Sequence, residues 1–259
     1  MAALEPRSVL VTGSNRGIGL EIVRQLAGKK NRPEWIFATC RDPEGAGAQE
    51  LRNLAAKHQG VVIVQLDVSD PSSIKAAAAR VTQQLKGAGL NLLINNAGIA
   101  KHSTLESETP ENMSEGYNIN VIGPLMVSQA FLPSLRKAAQ ESPKKGMSCS
   151  KAAIVNISSQ AGSLETILGW DFAVHIIAYR CSKAALNMLT RCMSLGFAKD
   201  EILCISLHPG WVQTDMGNMS GSPPMTQEGS VQSILSTLGR LSEKDSGTFV
   251  DWEGKIIPW

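Results

Sequence analysis

Short runs of β-branched and other apolar residues alternate along the chain with longer stretches whose apolar positions recur at helical spacing. The runs at 8–12, 34–39, 61–67, 90–95, 152–158 and 202–208, with a weaker one at 248–250, predict strands. Several are apolar almost throughout, as strands covered on both faces must be. Between them, helical periodicity predicts helices at 17–29, 46–57, 72–86, 111–139, 173–198 and 228–241. Local signals bound these segments. Asp70 is placed to cap, Pro71 suits a first helical position, and Gly87 with Gly89 stops the same pattern. Strand and helix repeated in this order predict an α/β fold, a single-domain Rossmann-type doubly wound parallel sheet of about seven strands with helices on both faces.

Two stretches break the alternation. The Lys/Ser/Gly-rich segment 142–151 reads as an exposed loop that carries Cys149 to the surface, where it would be oxidisable. Segment 217–226 contains Gly-Ser-Pro-Pro and follows the strand ending near His208. Ligands of a doubly wound sheet bind beyond the carboxyl ends of its strands, so this second loop is expected to be a substrate lid.

Composition narrows the class. A chain of 259 residues with 43% hydrophobic and 19% charged residues can bury one sizeable core, and it is expected to form one domain over 1–259. The formal charge of +2 is spread without a basic stripe, which argues against a nucleic-acid partner. No run approaches the roughly 18 apolar residues of a membrane span, and the first seven residues lack an apolar leader core, so a cytoplasmic, membrane-free protein is expected. The five cysteines include no Cys-x-x-Cys pair, and Cys204 with His208 offers too few ligands for zinc. Reduced, mostly buried thiols and no metal are expected.

The first strand runs into Thr-Gly-Ser-Asn-Arg-Gly-Ile-Gly, residues 12–19, which opens a helix. Gly13 allows a tight turn, Gly17 lets the backbone approach a pyrophosphate, and Gly19 lets helix and strand pack closely. The helix start offers unpaired N–H groups to an anion. The second strand ends Thr39-Cys40-Arg41. Neutral residues stand where a carboxylate would meet a ribose 2′-hydroxyl, and Arg41 with Arg16 would instead meet a 2′-phosphate, favouring NADP(H). Asp42, one place later, leaves NAD open.

Tyr179 and Lys183 lie at i and i+4 near the start of a predicted helix and share a face. A Tyr hydroxyl with pKa ~10 is a poor acid-base group at neutral pH, and an adjacent ammonium stabilises its phenolate. Alone, such a pair is more often a surface contact, so its company matters. Ser158 and Ser159 end a buried strand, and Asn95, Asn96, Ala97 and Gly98 end another, where Asn95 would brace the sheet. Asn120 places an amide among apolar helix neighbours, where burial would demand a partner such as a second helix. His175 reads as a pocket-rim or core histidine rather than a second base.

These motifs, together with Asp67 and the segment from Pro209 through Thr214, resemble the short-chain dehydrogenases/reductases over nearly the whole chain. Within that family, residues 180–188 and the ending Ile256-Ile257-Pro258-Trp259 resemble the sniffer-type carbonyl reductases and C-factor-related proteins. The resemblance implies a cofactor half of about 1–150 and a catalytic half of about 151–259. It implies Tyr179 as proton donor, Lys183 beside it on the nicotinamide ribose, Ser159 orienting a carbonyl, and Asn120 ordering a relay water. Ser159 is preferred to Ser158 because the family serine is usually the second of such a pair. The cofactor would touch Gly13, Ser14, Asn15, Arg16, Gly17, Ile18, Gly19, Arg41, Asp67, Val68, Asn95, Ala97, Gly98, Pro209, Gly210, Val212 and Thr214, besides Tyr179 and Lys183. The implied reaction is NADPH-dependent reduction of a small ketone, aldehyde or quinone; a cofactor-sensing regulator or an NAD-dependent alcohol dehydrogenase are the rivals. Ser159 and Tyr179 stand 20 residues apart, a wider gap than the family's, so 164–171 is expected to be an insert rimming the substrate pocket. Trp170, Phe172, Trp211 and Met216 are candidates for that pocket's wall, and the helices at 111–139 and 173–198 are candidates for a homodimer contact.

Overall fold

Seven parallel strands, β1 (Ser8–Val11), β2 (Trp35–Cys40), β3 (Val61–Gln65), β4 (Leu92–Asn95), β5 (Ala153–Ile157), β6 (Leu203–His208) and β7 (Phe249–Asp251), form one sheet in the order β3-β2-β1-β4-β5-β6-β7. The structure, a computed structural model, describes residues 3–166 and 175–259. The helices are α1 (Gly17–Gly28), α2 (Gln49–Lys57), α3 (Pro71–Leu85), α4 (Pro110–Tyr117), α5 (Gly123–Glu141), α6 (Ile177–Gly196) and α7 (Gln227–Leu238).

Alternation along the strands divides the core into two layers. Val9 and Val11 of β1 join Leu92 and Ile94 of β4 and the buried faces of α1, α2 and α7. Leu10 and Leu93 point the other way, onto α3 and α5, with Met193 of α6 in the same cluster. All of these strand residues are fully buried. Burying each such Val or Leu contributes about 1.5–3 kcal/mol, which makes the doubly covered sheet the rigid base of the fold. The strand order reverses between β1 and β4, so the crevice beyond their carboxyl ends is the place for a ligand.

The expected α3 signals work as read: the Asp70 side chain accepts from Ser72 N–H, Pro71 is the first residue, and Lys86 closes the helix in the left-handed region. The predicted single helix over 111–139 is corrected. A five-residue π-helical turn, Asn118–Ile122, separates α4 from α5. Pro124 has no N–H for the Asn120 carbonyl, and a proline ring crowds the carbonyl four residues back, so regular α geometry fails there.

Segment 142–151 is a loop, but its expected exposure of Cys149 is overturned. Cys149 and Met147 are buried in the core, and burial pushes the Cys149 thiol up to about 12. Cys40 and Cys204 are also buried, whereas Cys181 and Cys192 are exposed on α6. The C-terminal tail folds back on β7: Ile257 N–H donates to Phe249 O, and Trp259 stacks on Phe249 at 5.8 Å. It also holds the segment after β5, through Ser163 Oγ donating to Pro258 O (2.7 Å) and Glu165 N–H to Trp259 O (3.0 Å). Most of the expected insert, 167–171, and the pocket candidates Trp170 and Phe172 lie outside the described residues. Among those described, no helix is long and apolar enough to cross a membrane.

Candidate active site

A cleft of about 1450 Å³ runs along the carboxyl ends of the strands. One end is built by the glycine turn. Gly13 adopts φ +66°, and a Cβ there would lie 2.9 Å from the Ala97 Cα; a Cβ on Gly19 would lie 2.3 Å from the Gly13 carbonyl oxygen. Glycine is therefore the residue that lets the turn, the end of β4 and the start of α1 meet. Thr12 Oγ1 accepts from the N–H groups of both Asn96 and Ala97, and Asn96 Nδ2 donates to Thr12 O and Gly13 O. Asn96, whose role the sequence reading left unassigned, thus locks the turn. α1 starts at Arg16 with no side-chain cap, so its first N–H groups are left for an anion.

Arg16, Gly17, Ile18, Asn15 and Gly13 line the cleft, as do Arg41, Asp67, Val68 and Ala97, and Gly98 lines it beside Lys183, whose Nζ would stand 3.7 Å from a Cβ there. Asp42 does not. Its carboxylate accepts from Gly45 N–H at 3.0 Å and fills the space a Gly45 side chain would take. The carboxylate that left NAD open in the sequence is therefore turned to its own loop and not to the cleft. Arg16 pairs with Asp215 at 2.9 Å, both side chains strongly exposed, which ties the glycine turn to the loop beyond β6. Asp67 Oδ1 accepts from Ser69 N–H and Oγ. Burial raises the Asp67 carboxyl, but these bonds and Arg41 outweigh it and leave its pKa lowered.

At the other end stand Ser159, Tyr179 and Lys183. Ser159 follows β5 and accepts from Ala161 N–H (3.1 Å), which turns the chain at once toward α6. Gly162 makes that approach possible, because a Cβ there would lie 2.6 Å from the Lys183 carbonyl carbon. Tyr179 lies by the Ser159 hydroxyl; burial raises its phenol above the ordinary range and this hydroxyl acts the other way. Lys183 is buried, donates to Ile157 O at 2.7 Å, and holds Nζ 5.5 Å from the Tyr179 ring centroid. Burial lowers its pKa to about 8. Ser158 is the less suitable serine, since its hydroxyl is bonded to Asn187 Oδ1 at 2.6 Å in the buried interior.

Three expected site residues do not offer their side chains to the cleft. Ser14 is buried with its hydroxyl on Val11 O. Asn95 reaches Asn156 Oδ1 (2.8 Å) and Ser128 Oγ, bracing β4 against β5 and α5. Asn120 is fully buried: its Nδ2 donates to Ile99 O and Ser182 Oγ, and its Oδ1 accepts from Ile99 N–H. Its amide is thus a tie from the π-helical turn to Ile99 and to α6, and Pro124 has no N–H to offer its main-chain carbonyl. His175 packs on His102, ring centroids 4.7 Å apart, and is absent from the cleft wall.

The far wall is the loop after β6. Pro209 O accepts from Ser230 Oγ, Val212 bridges to Met225, and Thr214 Oγ1 accepts from Gly217 N–H. Gly210, Val212, Thr214 and Met216 line the cleft, as do Asn218, Met219 and Met225 from the expected lid. His208 and Trp252, in edge contact at 5.6 Å, were not foreseen there; burial lowers His208 to about 4, so it stands neutral at physiological pH.

A family model described as short chain dehydrogenase matches residues 7–223. An NADPH-bound carbonyl reductase from chicken fatty liver is 58% identical, covers 99% of this chain and 100% of its own, and superposes with a TM-score of 0.93. The carbonyl reductase Sniffer of D. melanogaster is 37% identical over 98% of this chain and 100% of its own, with a TM-score of 0.92. The C-signal protein of Myxococcus xanthus is 36% identical over 66% of this chain and 93% of its own length.

Proposed function

Because the chain belongs to the short-chain dehydrogenase/reductase family and is an oxidoreductase similar in structure to the sniffer-type and other carbonyl reductases, we propose that it reduces an uncharged carbonyl compound with NADPH. The observation that carries this reading is Tyr179 placed by Ser159 and by the buried Lys183 in the wall of the cleft that the glycine turn also lines. The cofactor assignment draws on the bare N-terminus of α1, on Arg16 and Arg41, and on the withdrawal of Asp42 into its turn. It agrees with the NADPH in the chicken relative. When bound, NADPH supplies the hydride that the carbonyl carbon receives.

The chain's own groups do the rest. Ser159 and Tyr179 orient the carbonyl oxygen, and Tyr179, protonated at neutral pH, gives it a proton. Lys183 keeps positive charge beside the phenolate that results. The Asn120 carbonyl is the acceptor for a water that returns the proton from solvent. The lining contributed by residues 99–100, 119, 157–161 and 176 is apolar or neutral, whereas its cations lie mainly toward the cofactor end. That distribution favours neutral ketones, aldehydes and quinones over carboxylates or phosphorylated carbonyls.

General acid catalysis contributes about 10²–10⁴-fold. Tyr179→Phe is therefore expected to lose at least about a hundredfold in NADPH-dependent turnover of an aromatic ketone or quinone while its NADPH affinity, read by fluorescence titration, stays within about twofold. Near-wild-type turnover in that variant would remove Tyr179 from the mechanism. Equal affinity for NADH would remove the 2′-phosphate contacts.

A further inference from the structure

The helix bearing Tyr179 and Lys183 begins without a cap of its own. Ile176, immediately before it, sits in the left-handed region at φ +56° and has no side chain able to accept from the first turn. The acceptor comes from elsewhere in the chain. Glu108 Oε2 receives Ala178 N–H at 3.1 Å and the Ser103 hydroxyl at 2.5 Å. Its Oε1 receives Thr109 N–H at 2.9 Å and Asn112 Nδ2 at 2.6 Å. Thr109 and Asn112 belong to the start of α4, the helix that leads directly into the π-helical turn of Asn120. Ser103 O in turn accepts from Ile176 N–H.

From this arrangement we infer that Glu108 is a positioning residue for catalysis: one carboxylate fastens the N-terminus of the Tyr179 helix to that of the Asn120 helix. The inference rests on the proposed reductase reading. A carboxylate has about four acceptor sites, and all four are occupied here. Ala178 is the immediate neighbour of Tyr179, so a shift of that N–H moves the phenol relative to Ser159 and Asn120. A negative group is also favoured at a helix start by the macrodipole, and two starts share this one. Those contacts hold the carboxyl at about 2, against the burial that raises it, so it remains ionised wherever the enzyme works.

Glu108→Gln tests this with little change of shape. An amide has one acceptor oxygen and one donor nitrogen, so it must fail either Ala178 N–H or the Thr109 and Asn112 donors. Misplacing a reacting group by about 1 Å costs up to about 10²-fold, so kcat is expected to fall about tenfold or more. The NADPH dissociation constant should stay within about twofold, because the glycine turn, Arg16 and Arg41 are untouched. Ser103→Ala, which removes one donor and leaves the carboxylate, should lower kcat about two- to fourfold at constant NADPH affinity, and it decides the matter if the glutamine variant does not fold. Unchanged kcat, or kcat and NADPH affinity falling together with melting temperature, overturns the inference, since general loosening predicts the latter. Wild-type turnover is measured first: its absence counts against the reductase reading and not against the tie.

Discussion

Lys183 keeps its charge where burial works against it, and this makes the pH response of the site specific in sign. Its folded pKa is lowered to about 8, so it is positive below that value and neutral above it, while burial holds the Tyr179 proton on through the same range. In the proposed mechanism, reduction needs both the phenolic proton and the ammonium that stabilises the phenolate. In the reductive direction kcat/KM is therefore expected to be flat below about pH 8 and to fall above it, as a profile of NADPH oxidation over pH will read. A rise with pH would mean that the phenolate is the reacting form. That Tyr179, Ser159 and Lys183 share one cleft was legible in the sequence because it follows from their spacing on one strand end and one helix. Glu108 was not, because its use depends on a helix start 70 positions away. Cys149 was misread for a related reason: a polar composition marks a loop but does not say that Met147 and Cys149 turn inward from it.

At the scale of elements, the seven strands were readable from their apolar runs, with ends within two residues of those observed. The long helix was read correctly in extent and wrongly in continuity. Apolar periodicity carries through Asn118–Ile122, whereas the π-helical turn reports a missing N–H at Pro124, which periodicity does not register. The junction between β5 and α6 shows how an element is placed by what is absent. Gly162 lies against the α6 backbone, and a Cβ there would stand 2.6 Å from Lys183 C and 2.7 Å from Ala184 N. Helical backbone cannot yield as a flexible side chain can. Gly162→Ala is expected to cost about 1–3 kcal/mol, the usual range for overpacking. It should also lower turnover, because the displaced segment carries Ser159. Denaturant unfolding measures the first effect and NADPH oxidation the second; an alanine variant as stable as wild type would show that α6 can move.

Across the whole molecule, the cleft joins what the chain order separates. Its wall takes the glycine turn, Arg41 and Asp67 from the first half and Ser159, Tyr179, Lys183 and the loop from Pro209 to Met225 from the second. Between them the sheet is continuous, β4 pairing with β5 through Asn95 and Asn156. A cofactor spanning this wall should therefore stabilise the chain as one unit. Binding to the folded state alone adds about 2.7 kcal/mol at a hundredfold excess over the dissociation constant. For a chain of this size that corresponds to a rise in melting temperature of roughly 5–10 °C, in one transition. NADH at the same concentration should give a smaller shift, since it offers Arg16 and Arg41 no 2′-phosphate and finds Asp42 already bonded to Gly45. Equal shifts with the two cofactors would place the selectivity elsewhere than in this corner. Two separate transitions, with only the earlier half responding, would mean that the continuous sheet does not couple the halves and that the chain folds as more than one unit.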